Sequence, residues 1–123
     1  MKYTRLYATP DGQTHLDDVE RALEAASIYD WRPSAIPVEG GAFFVRRAGE
    51  HSRGWHSAPQ RQFLVTLVGN VEFETSDGTL REFGPGSVVL VEDTTGVGHQ
   101  TRFAGGQEHV TLFIPLAEGV LAE

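Results

Sequence analysis

The sequence predicts an all-β fold, and three observations carry that prediction. From Ala42 onward the chain breaks into seven short apolar or alternating runs. Turn-forming residues separate those runs. Helical periodicity is confined to one segment near the N-terminus. Short strands at close, regular spacing indicate an antiparallel sandwich or barrel.

AFFVRR (42–47) is the first run. QFLVTLV (62–68) is rich in β-branched residues and ends at Gly69, as a buried strand would. NVEFET (70–75) alternates, with Val71 and Phe73 on one face and Glu72 and Glu74 on the other. Asp77-Gly78 reads as a tight hairpin turn because both residues tolerate positive φ, and TLREF (79–83) returns from it. Gly84-Pro85-Gly86 is a turn before the buried run SVVLV (87–91). GHQTRF (98–103) and HVTLFI (109–114) complete the set. Ahead of all these, Leu16, Val19, Leu23 and Ala26 recur on one face of a helix, and Thr14 with Asp17 resembles a capping box. A short helix over 14–26 is therefore expected to decorate the barrel, followed by an irregular passage bracketed by Pro33 and Pro37. The 123 residues read as a single domain, 1–123, with a barrel core over about 42–115.

Composition narrows the function. Without Cys there is no disulfide, no thiolate nucleophile, no Fe–S cluster and no thiolate zinc site. Any metal would be held by imidazole nitrogen and by carboxylate, amide or water oxygen. Ten cations against 17 anions leave a formal charge of −7, and the cations are scattered. Nucleic acid and anionic membrane surfaces are thus not expected as partners. The N-terminal segment has no long apolar run, so a soluble, cytoplasmic protein is expected. There is no G-x-S-x-G, P-loop or dinucleotide fingerprint.

The polar segment WHSAPQRQ, which leads into the buried run 62–68, carries the chemistry. Alternation puts Gln62 and Thr66 on one face, with His56 near the same side. In a later strand His99, Thr101 and Phe103 share a face. A barrel gathers inward faces around one interior, so His56 and His99 can converge there. Trp55, beside His56, suits the wall of a small-molecule pocket, with Gln60, Gln62, Thr66 and Thr101 as polar contacts. Gln60 within this segment and His51 just before it add a further amide and a further imidazole. Arg61 has the opposite parity to Gln62 and is expected outside. His15 reads as surface polar, His109 as a solvated strand end, and Glu92-Asp93-Thr94-Thr95 as a turn built by side-chain-to-backbone bonds.

These residues resemble the cupins, small antiparallel jelly-roll barrels. The first cupin motif runs G-x5-H-x-H-x3,4-E-x6-G. His56 matches its first His, Ala58 stands at the second, Gln62 stands at the Glu, and Gly69 follows on the family's spacing. Gly49 lies one position off the leading Gly. The second motif runs G-x5-P-x-G-x2-H-x3-N. Gly86 opens it and Gly96-x2-His99 closes it, with Thr94 in place of Pro, Phe103 in place of Asn and a loop two residues longer. The resemblance implies an antiparallel jelly-roll β-barrel and a homodimer paired through sheet edges. It implies a metal site at His56, Gln62 and His99 for a first-row divalent ion: Fe, Mn, Ni, Co or Zn. Such an ion acts as a Lewis acid, or binds dioxygen if it is iron. Ala58 cannot ligate, and the Gln62 amide is a weaker, neutral ligand than the family's Glu. Two functions stay open. One is a metal-dependent enzyme of oxygenase or isomerase type acting on a small molecule. The other is a metal-free cupin that binds or senses a small ligand with the same residues. A purely structural dimer module explains the polar interior less well, since idle buried polar groups cost free energy.

Overall fold

The computed structural model describes residues 1–121. Ten strands follow one another: β1 (Lys2–Ala8), β2 (Thr14–Glu20), β3 (Phe43–Ala48), β4 (His51–His56), β5 (Gln62–Val68), β6 (Val71–Thr75), β7 (Leu80–Phe83), β8 (Val88–Val91), β9 (His99–Phe103) and β10 (Glu108–Pro115). They form a six-stranded sheet in the order β2-β1-β8-β5-β10-β3 and a four-stranded sheet in the order β4-β9-β6-β7. The core lies between the sheets. Leu6, Leu64, Val89 and Val91 of the larger sheet pack against Val71, Phe73, Phe83 and Phe103 of the smaller. Tyr3, Phe63, Leu90 and Leu116 form a second cluster, on the other face of the larger sheet.

All seven expected runs are strands, within about a residue of their anticipated bounds. Three expectations fail. The first is the helix over 14–26: residues 14–20 are β2, and no helix occurs among the described residues. The reason is non-local. β1 offers β2 a complete antiparallel ladder from Lys2↔Glu20 to Ala8↔Thr14. Thr14 does not cap a helix; its Oγ1 donates to Gly98 O (2.7 Å) and accepts from Ser76 N–H (2.8 Å), which ties β2 to the other sheet. The second is closure. The two sheets share no ladder, so the expected barrel is an open two-layer sandwich. The chain changes sheets within two residues, between β3 and β4 and again between β5 and β6, so the ladder cannot run on from one sheet into the other. The third is uniform antiparallel pairing, because β1 runs parallel to β8.

The β6–β7 hairpin also differs in detail. Only Gly78 has positive φ (89°); Asp77 does not. Asp77 acts through its side chain, accepting from Thr75 Oγ1 (2.7 Å) and Thr79 N–H (3.0 Å) and meeting His15 Nδ1 (3.1 Å). His15 is therefore a half-buried partner in this turn, not a free surface group.

Two predictions follow from the fold. Burial raises the Asp77 pKa, but the bonds from Thr75, Thr79 and His15 outweigh it and hold the value down to about 2. A carboxyl lowered in the folded state adds stability above its unfolded pKa of about 3.9, and that contribution is lost as pH falls toward 2. Urea midpoints measured between about pH 5 and pH 2 should fall with acid in the wild type, and less steeply in Asp77→Asn. The second concerns Gly98. Its φ is 78°, and a Cβ there would fall on the backbone of His56 and Ser57. Gly98→Ala is expected to cost at least about 1–2 kcal/mol from backbone conformation alone. Displacement of β4 adds to this, and a lowered thermal midpoint is the check.

Candidate functional site

β4, unforeseen from sequence, is an edge strand paired only with β9. Its residues are mostly exposed, which removes the apolar alternation that marks a half-buried strand. Its register with β9 pairs Arg53 with Thr101 but His56 with His99. Three residues on β4 thus span two on β9, a bulge that sets where His56 falls. His56 and His99 lie against each other at a tilt, with ring centroids 4.4 Å apart and planes at 54°. The convergence of these two residues is therefore a cross-strand pair at a bulge.

Each imidazole is held through Nδ1. His56 Nδ1 donates to Gly54 O (2.7 Å). His99 Nδ1 donates to Asp93 Oδ2 (2.6 Å), and the Phe73 ring stands edge-on to His99 at 5.5 Å. In a neutral imidazole this leaves the Nε2 lone pair for a ligand. Burial pushes the His56 pKa below its ordinary value, outweighing the opposite pull of the Gly54 carbonyl, and so favours that neutral form. Asp93 has no solvent exposure, and its second oxygen, Oδ1, has no partner among the described residues. The Asp93 carbonyl accepts from Ala58 N–H (3.0 Å), which joins the 92–98 loop to the segment entering β5. The sequence reading took Asp93 for a turn builder. It is the orienting partner of His99, and an acid six positions before a His gives little warning of that.

Gln62 opens β5 opposite Val91 of β8, and its Oε1 is buried without a partner. His56, His99 and Gln62 line one cavity of about 450 Å³, with Gln60, Thr101 and His51 also in its wall. Trp55 and Thr66 are not in that wall. Trp55 is 49% exposed. Thr66 is buried and exchanges backbone bonds with Ser87 and Gly86. Two other placements correct the sequence reading. His109 is 1% exposed, not solvated; it lies T-shaped to Phe103 at 5.0 Å, with Nε2 donating to Ala104 O. Arg61 is half-buried; it is ion-paired to Glu92 (2.7 Å) and donates to Val120 O. Arg47, which sequence reasoning passed over, lines the cavity from β3.

The donors fit a weakly held borderline divalent ion better than a tightly held one. Two imidazoles are joined by one amide oxygen that has no partner among the described residues, and a carboxyl group orients one imidazole from behind. No group of three or more His, Asp or Glu side chains gathers to hold an ion among the described residues.

No helix among the described residues is long and apolar enough to cross a membrane. No protein-family model and no curated protein matches the chain. Among solved structures it is similar to a cupin domain from Bordetella pertussis, at 20% identity and TM-score 0.47 over 62% of this chain and 79% of that one. It is similar to a protein from Neisseria meningitidis at 21% identity and TM-score 0.46, covering 78% and 90% of the two chains. A conserved protein of unknown function from Streptococcus pyogenes shares 15% identity at TM-score 0.42, covering 79% and 93%. Its structural neighbours thus include a cupin domain.

Proposed function

We propose that this chain is a cupin-like domain that binds a small molecule in the cavity between its two sheets, beside a first-row divalent ion on His56, His99 and Gln62. One observation supports this above the rest. Two facing imidazoles have both Nδ1 atoms committed, and the buried Gln62 Oε1 on the same cavity wall has no partner. Burying that acceptor idle costs about 1–3 kcal/mol, so it fits a site that something else completes. When bound, the ion supplies Lewis-acid polarisation of a substrate oxygen. The chain's own residues do the rest. Asp93 fixes the tautomer of His99, Gly54 fixes that of His56, and Phe73 limits rotation of the His99 ring. Gln60 and Thr101 present polar groups toward a bound molecule.

Cobalt(II) titration followed by visible absorption tests this reading. Saturable absorption is expected in the wild type. His99→Ala should weaken it by at least tenfold, and Asp93→Asn by about 10–100-fold through loss of ligand orientation. Gln62→Glu supplies the missing anionic donor and should tighten cobalt by at least tenfold. A wild-type chain that binds none of Fe, Mn, Co, Ni or Zn overturns the metal part of the proposal. The absence of a three-ligand His/Asp/Glu cluster among the described residues favours a second reading, in which the same three residues hydrogen-bond a ligand directly. Under it, ligand protection of the melting temperature is the same with and without chelator.

A further inference from the structure

Arg47 on β3 has a feature that the metal reading leaves unused. The residue is half-buried, but its Nη1 is shielded from solvent and has no hydrogen-bond partner among the described residues. Its neighbour Arg46 is ion-paired with Glu108. Arg5, Arg61, Arg81 and Arg102 also have carboxylate partners. Arg47 has none among the described residues. It stands opposite His109 in the β3–β10 ladder, and its guanidinium lies over the Phe103 ring at 4.8 Å. The ring face steadies the cation and donates no hydrogen-bond acceptor. Partial burial lowers the Arg47 pKa.

The cavity around it has one sign of charge. Arg47 and Arg53 are the charged residues that line it, and no Asp or Glu does, although the chain carries −7 overall. The remaining wall is largely apolar and includes Leu64, Phe73 and the stacked pair Phe43–Phe113. A planar guanidinium with an unpaired edge matches a carboxylate, and apolar walls match an organic body.

We propose that Arg47 is the anchor for the carboxylate of a small aromatic or aliphatic acid, held with its apolar body in the cavity that also contains His56, His99 and Gln62. This names the substrate class of the proposed site and rests on that cavity being the binding site. It does not require the ion. Phe103 acts as a positioning residue for Arg47, and the exposed Arg53 adds only long-range attraction.

The test uses benzoate and phenylacetate as probes, with benzamide and phenylacetamide as neutral counterparts, measured by calorimetry on the full chain. The acids are expected to bind the wild type at least tenfold more tightly than the amides. Arg47→Met should weaken the acids by at least tenfold and leave the amides unchanged. Arg47→Lys should fall between, and Arg53→Met should stay within about threefold of wild type at moderate salt. Arg47→Met removes a half-buried cation with no carboxylate partner among the described residues, so its melting temperature without ligand should stay close to that of the wild type. Equal binding of the acids to wild type and Arg47→Met overturns the proposal. So does a wild type that binds neither acid or binds the amides as well as the acids. Cobalt titration of Arg47→Met separates the two readings. Intact cobalt absorption with acid binding indifferent to Arg47 removes the anchor alone. Arg47-dependent acid binding in a chain that takes no cobalt removes the ion alone.

Discussion

The hydrogen bond between Asp93 and His99 is the contact on which the site depends. Both side chains are almost without solvent exposure, and the bond is 2.6 Å long. A carboxyl group in such a place needs a fixed donor, and His99 supplies it through Nδ1. The Asp93 carbonyl meanwhile accepts from Ala58 N–H. A single residue therefore joins the 92–98 loop, the start of β9 and the entry to β5. His56 depends on that junction in turn, because it faces His99 across the bulge and its backbone lies against Gly98. The same arrangement leaves Asp93 Oδ1 and Gln62 Oε1 buried without partners. Buried polar atoms are mostly satisfied, so two orphans beside one histidine pair mark a place not shaped by stability alone.

Charge is distributed unevenly over the sandwich. Most arginines neutralise acids on the sandwich surface. Glu92 receives two of them, Arg5 from β1 and Arg61 from the segment before β5. Directly after Glu92, the chain turns inward with Asp93. Glu92 is held between its two half-buried arginines, and that contact steadies the loop that delivers Asp93. The cavity keeps only cations and neutral groups in its wall.

The sequence carried most of the sandwich, because the strands from β5 to β10 are apolar or alternate, and turn residues bound them. Where it misled, a distant partner outweighed a local signal. Leu16 and Val19 are spaced for a helix, yet β1 pairs with every residue from Thr14 to Glu20. β4 reads as polar coil because an edge strand with a solvated face needs no apolar alternation. His109 looks like a solvated strand end, but its neighbour across the ladder is Arg47 and its ring packs on Phe103, so it is buried. In the site, His56, His99 and Gln62 could be picked out from motif spacing. Asp93 and Arg47 could not, since an acid in a turn and an arginine on a strand are common on any surface.

By itself the sequence determined the strand-forming segments, the lack of thiol chemistry, the net acidity and the segment that brings imidazole and amide to a strand entry. These follow from local alternation, turn chemistry and composition, which need no partner. Only the tertiary structure decided that residues 14–20 are a strand, that the sheets stay open and that β1 runs parallel to β8. It alone set the bulge that brings His56 opposite His99, buried Asp93 behind it and left Arg47 unpaired over Phe103. Each of these depends on which residue lies across a ladder or a core. That is fixed by the whole chain's packing and by no single stretch of it.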